Sequence, residues 1–79
     1  MSRTVYCVQV GAFSKKDVAA RKLKAIQTAG FPRAFLAKEG DLWDVLVGSH
    51  ADLATAEEQR ARVEAAGFLC RLIKAEIKA

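Results

Sequence analysis

Hydrophobic positions fall into four short strand-like runs separated by two stretches in which they recur every three or four residues. Val5 to Phe13 is rich in β-branched and aromatic residues and predicts a first strand. Ser14-Lys15-Lys16-Asp17 fits a capping pattern, and Ala19, Leu23 and Ile26 then recur at i, i+4 and i+7 as the buried stripe of a helix. Gly30 supplies the positive φ that closes this helix, and Phe31 packs back under the sheet. Pro32 to Lys38 predicts a second strand, whose leading proline cannot donate to a ladder and so suits a sheet edge. Lys38-Glu39-Gly40-Asp41 reads as a short hairpin connection into a third strand, Leu42 to Gly48. A second helix begins near Asp52 or Thr55 and buries Leu53, Ala56 and Val63; Arg60 stands where Leu23 stands in the first helix. Gly67-Phe68 closes it, and Leu69 to Ala75 is the fourth strand.

The pattern is written twice. Val8-Gln9-Val10-Gly11 returns as Val45-Leu46-Val47-Gly48, and Ala29-Gly30-Phe31 returns as Ala66-Gly67-Phe68, both at an offset of 37 residues. Two strand–helix–strand units give a β-α-β-β-α-β chain. The hairpin makes the second and third strands antiparallel neighbours, and each helical crossover joins parallel strands with a right-handed turn. Both conditions are met by an α+β, ferredoxin-like (RNP-like) split sandwich. Its antiparallel sheet has strand order 4-1-3-2, and both helices cover one face. Residues 1–79 then form one domain, with repeat halves at about 4–40 and 41–77.

A chain of 79 residues carries one core and leaves little room for a catalytic cleft, which favours a binding module. The net charge of +4 is uneven: residues 1–40 hold eight Lys/Arg against two Asp/Glu, and residues 41–79 hold five against seven. Lys15, Lys16, Arg21, Lys22 and Lys24 make the first helix basic, either as a solvated face or as a patch for an anionic polymer. Cys7 and Cys70 form no metal-ligand cluster, so neither zinc nor any cofactor is expected; a bridge between them needs a shared sheet face on neighbouring strands. The apolar run after Arg3 imitates a signal peptide, but it contains Gln9 and Gly11 and repeats at 45–48, so it is a strand. No targeting segment and no membrane-inserting segment is visible in this sequence.

Alternation places Tyr6, Val8, Val10, Trp43, Val45 and Val47 toward the helices. Val5, Cys7, Gln9 and Gly11, with Leu42, Asp44, Leu46 and Gly48, then point to the open face. Gln9 stands out, a long amide at the centre of a central strand; it is either a solvated polar residue or a reader of hydroxyl and acetamide groups. Arg71 is expected outward, and Leu72 or Ile73 adds apolar surface. Trp43 is either a rim residue sealing the core or a stacking platform. His50 stands alone in the turn before the second helix.

Val8-Gln9-Val10-Gly11-Ala12-Phe13-Ser14, a basic helix, Ala29-Gly30-Phe31, and Leu42-Trp43-Asp44-Val45-Leu46-Val47-Gly48 together resemble the SPOR domain, the sporulation-related repeat of bacterial envelope proteins. The resemblance covers residues 4–75. It implies a peptidoglycan-binding module of cell-division proteins or cell-wall amidases, located at the bacterial envelope or cell wall, that takes glycan strands stripped of stem peptides on its sheet. The family's sheet glutamine falls on Gln9, its small residue after the glycine on Ala12, and its aromatic on Trp43 or Leu42. The family's basic position falls on Asp44, and Gly48-Ser49-His50 and Leu46 also depart from the family pattern.

The expected function is therefore non-catalytic binding of denuded glycan, which targets an attached hydrolase or division protein. The candidate contacts are Gln9, Cys7, Ala12, Leu42, Trp43, Asp44, Leu46, Arg71 and Leu72. The alternative is a protein-interaction or homodimerising module that uses the open face. RNA binding is disfavoured because the outward set of the central strands lacks aromatic residues and includes Asp44. An enzyme is disfavoured by a single His and no paired carboxylates in a cleft.

Overall fold

The computed structural model describes residues 2–78. The elements run β1 (Ser2–Phe13), α1 (Lys16–Thr28), β2 (Phe35–Glu39), β3 (Leu42–His50), α2 (Leu53–Ala65) and β4 (Arg71–Lys78). The four strands form one antiparallel sheet in the order β2-β3-β1-β4, which is the predicted topology. The two long strands are central because each pairs on both edges.

Both helices stop in the same way. Gly30 and Gly67 take φ of 114° and 98°, and the amide of the following Phe bonds back five residues, Phe31 to the Ile26 carbonyl and Phe68 to the Val63 carbonyl. This is a Schellman ending, in which glycine occupies the left-handed position at no steric cost. It aims both Phe side chains back at the core, where they pack half-buried. That core joins Val8, Val10, Val45 and Val47 of the sheet to Ala19 and Ile26 of α1 and Val63 of α2.

Several predicted boundaries move. Ser14 does not cap α1; Lys15 takes the cap position without a side-chain bond, and its carbonyl accepts the Ala19 amide. Asp52 does cap α2, accepting from the Thr55 amide at 3.0 Å and the Thr55 hydroxyl at 2.8 Å. Leu53 is exposed rather than buried. It opens the helix, and helical side chains tilt toward the N-terminus, past the first turn. Pro32 lies in a turn closed by the Ala34 amide on the Phe31 carbonyl, so β2 starts only at Phe35.

The largest departure is in alternation. Gln9 pairs with Leu46 but Gly11 pairs with Val45, so Val10 is an extra residue on β1. Tyr6 pairs with His50 but Val8 with Val47, which leaves the extra residue on β3, at Gly48-Ser49. Each bulge reverses the facing beyond it. Gly11, expected on the open face, therefore shares the helix side with Val45, and Ala12 takes the open face opposite Asp44. The bulges are related by the repeat, and each glycine is roofed by the ring two residues on. A Cβ on Gly11 would lie 2.8 Å from the Phe13 ring, and one on Gly48 would lie 2.5 Å from the His50 ring.

Candidate functional site

The sheet face away from the helices is built from all four strands. The register places Phe35, Ala37 and Glu39 of β2 beside Leu46, Asp44 and Leu42 of β3. It sets Val5, Cys7 and Gln9 of β1 opposite Ala75, Ile73 and Arg71 of β4. Val5, Cys7 and Leu46 are 4–6% exposed although no second layer covers them. Their shielding comes from the sheet itself, chiefly Ala37, Ile73 and Ala75. The result is a shallow apolar floor of short side chains. Burial also pushes the Cys7 thiol up, a tendency opposed by its hydrogen bond with Ser49.

Polar groups gather toward one end of this floor. Arg71 Nε donates to Gln9 Oε1 at 2.7 Å, across a register pair of the central and outer strands. That bond fixes the amide so that its NH2 stays free to donate, and it leaves the other guanidinium N–H groups unspent. Leu69, 91% exposed, lines a small hollow with Gln9 and Arg71 at the same end. Asp44 is 3% exposed between Ala37 and Ala12, and its carboxyl hydrogen-bonds that of Glu39. This hydrogen bond, with the Asp44 charge, raises the Glu39 carboxyl above its ordinary range, while the charge of Arg71 pulls it down. Gln9, Arg71, Glu39 and Asp44 thus share one electrostatic neighbourhood.

Seven of the nine candidate residues stand on this face: Gln9, Cys7, Ala12, Leu42, Asp44, Leu46 and Arg71. Cys7 and Leu46 belong to the floor and offer little surface of their own. Trp43 and Leu72 stand on the other side of the sheet. Trp43 pairs with Phe13 and packs on the helix-side core, with the ammonium groups of Lys16 and Lys38 at 5.0 and 5.5 Å from its ring centroid. Leu72 pairs with Val8 and packs on the same core, so Ile73 is the outward member of that pair of residues. Sequence reasoning missed Phe35, Ala37 and Glu39. Arg33-Ala34-Phe35-Leu36 has no alternation to read, and only the hairpin register could have placed them.

Every aromatic residue of the two central strands, Tyr6, Phe13 and Trp43, falls on the helix side by register. The two central strands therefore present to the open face none of the aromatic side chains on which RNA-binding sheets stack bases, and Phe35 of the edge strand β2 is the aromatic that stands there. Cys70 packs on the helix side with its Sγ 3.5 Å from the Arg60 carbonyl, while Cys7 is on the open face, so the two thiols are free and cannot meet. Among the described residues no cluster has the makings of a metal site, and no helix is long and apolar enough to cross a membrane.

An open sheet with one amide–guanidinium pair over an apolar floor suits binding, and comparison with known proteins agrees. Among curated proteins no sequence matches. A solved structure, the peptidoglycan binding domain of the B. subtilis cell wall lytic enzyme CwlC, superposes with a TM-score of 0.82 at 28% identity, over 95% of this chain and 94% of that one. The SPOR domain model matches residues 2–74. With nearly the whole sequence inside that match and the fold shared, the chain belongs to the SPOR domain family, a family of binding rather than catalytic domains.

Proposed function

We propose that this domain binds peptidoglycan on its open sheet face, engages glycan strands freed of their stem peptides, and thereby holds an attached cell-wall hydrolase or division protein at the bacterial cell wall. The observation that carries the proposal is the Gln9–Arg71 pair set beside a shallow apolar floor. A sugar chain presents apolar C–H faces together with hydroxyl and acetamide groups. The floor complements the first, and the free amide and guanidinium hydrogens complement the second. Stem peptides would hold the sugar backbone off a surface this flat, so their removal matters sterically. Family membership and the name of the structural neighbour support the same reading. The wall or envelope location rests on these as well.

Homodimerisation through this face is less well supported. The floor residues are already shielded, and Phe35 and Leu42, 38% and 44% exposed, are the main large apolar side chains it offers. A stable interface calls for a larger continuous apolar area.

The test is co-sedimentation of the domain with intact sacculi and with sacculi treated with an amidase to expose naked glycan. Enrichment on the treated material, lost in Gln9→Ala, is expected. Equal binding to both materials would remove the preference for naked glycan, and no binding to either would remove the function.

A further inference from the structure

One register row crosses the whole open face. Arg71 of β4 lies opposite Gln9 of β1, Gln9 opposite Leu46 of β3, and Leu46 opposite Phe35 of β2. Neighbouring strands lie about 4.8 Å apart, so the row is about 14 Å long and runs at right angles to them. Its members differ in kind. Arg71 and Gln9 bring the hydrogen-bonding groups, Leu46 offers little surface, and Phe35 is open again at 38% exposure. Among the described residues Phe35 is the one aromatic side chain on the open face. Tyr6, Phe13 and Trp43 fall on the helix side by register, and Phe31 and Phe68 pack against the core. No strand pairs with the outer edge of β2, so the sheet does not cover Phe35 from that side. A line along β1 is poorer in contacts. Val5 and Cys7 are shielded, and past the bulge Ala12 faces Asp44 of the carboxyl pair.

We infer, on the reading that this face binds glycan, that the sugar chain crosses the sheet along this row and that Phe35 is the stacking platform for the ring at its β2 end. A pyranose linked through opposite sides of its ring advances the chain by roughly one strand spacing, so the row seats about one ring over each strand. Toward β4 the Gln9 amide and the Arg71 guanidinium take hydroxyl and acetamide groups. Toward β2 a sugar turns its C–H face onto Phe35. Those hydrogens carry a slight positive charge, and the face of an aromatic ring is negative. The polar and the apolar sides of the ligand are thus read at opposite ends of one row, which fixes the direction of the chain across the strands.

The experiment is an NMR titration of the domain with peptide-free di-, tetra-, hexa- and octasaccharides, cut by a muramidase from amidase-treated sacculi. Affinity should climb to the tetrasaccharide and then level off. A further climb of about tenfold to the octasaccharide would mean a longer path and overturn the inference. Sugar C–H protons of the tetrasaccharide should move upfield in the ring current of Phe35. Phe35→Ala and Phe35→Leu should each bind about tenfold more weakly, whereas Phe35→Trp should bind at least as well as the parent. Leucine keeps an apolar cover beside Leu46, so this contrast separates stacking from a merely structural role. Leu53→Ala, which removes an exposed side chain of α2, should bind unchanged. Parent-like binding by Phe35→Leu would overturn the inference, and so would sugar protons without upfield shifts, a readout that needs no variant to fold. Binding that falls with Gln9→Ala but not with Phe35→Leu would leave the proposed function standing alone. No binding of any fragment by the parent would overturn both.

Discussion

Arg71 reaches across the β1–β4 pairing to donate its Nε hydrogen to Gln9 Oε1 at 2.7 Å, joining the two repeat halves on the open face. The pair orients both groups before any ligand arrives. Removing either residue also frees its partner to rotate, so the two substitutions are coupled. Gln9→Ala and Arg71→Ala should each weaken naked-glycan binding by about tenfold. The double variant should fall short of the product of the two. Thermal midpoints should move little, since the bond is exposed. Binding isotherms for the four proteins give the coupling directly, and full additivity would mean that the residues act separately.

The Glu39–Asp44 pair makes the same face sensitive to pH. Glu39 is raised from its ordinary 4.5 by its hydrogen bond to Asp44 and by the Asp44 charge. A carboxyl that holds its proton more tightly when folded stabilises the fold at low pH and loses that contribution as pH rises through the raised value. Glu39→Gln should therefore gain stability relative to the parent near neutral pH and show no advantage near pH 4. The check is denaturant unfolding of both proteins across pH 3 to 8. Asp44→Asn, followed by carbon-detected NMR, should return the Glu39 titration toward its ordinary position.

Glycine is required more strictly in the second repeat than in the first. Gly48 has φ of 70°, and a Cβ there would lie 2.5 Å from His50 Nε2. Gly11 has no positive φ, and its notional Cβ meets only the outer edge of the Phe13 ring. Gly48→Ala should cost about 1–3 kcal/mol from backbone strain and crowding. Gly11→Ala should cost less, because the ring can shift. Adding His50→Ala to Gly48→Ala should recover the crowding part and leave the strain. Thermal unfolding of the three variants separates the two contributions.

The sequence revealed scaffold more readily than face. Gly30-Phe31 and Gly67-Phe68 were legible because a left-handed helix ending has few chemical solutions, and the hairpin with two crossovers then left one strand order. The helix-side core of Val8, Val45 and Val47 followed from simple alternation. Alternation failed at Gly11 because the Val10 bulge changes parity, and a bulge inserts a residue that looks like any other strand residue. It said nothing about Phe35 to Glu39, a short edge strand without a repeating pattern. Gln9 was visible as an anomaly of composition. Its partner Arg71 could be placed only by pairing strands that lie 62 residues apart in sequence.

Trp43 gives the sharpest test of which side of the sheet does the binding. An aromatic residue at the start of a central strand invites a role in sugar stacking, yet its ring is half-buried against the helix-side core with Lys16 and Lys38 beside it. Trp43→Ala should therefore act through stability, at about 2–4 kcal/mol for truncating a packed aromatic that keeps some exposure. Part of that cost is the lost attraction between the two ammonium groups and the ring. Leu72→Ala, on the same side opposite Val8, should behave in the same way at smaller cost. At a temperature where the variants remain folded, both should sediment with naked glycan as the parent does. Trp43→Phe, which keeps most of the packing, is the discriminating protein. If it retained its thermal midpoint but lost glycan binding, the ring would be a ligand contact, and the binding surface would extend around the β3 edge toward α1.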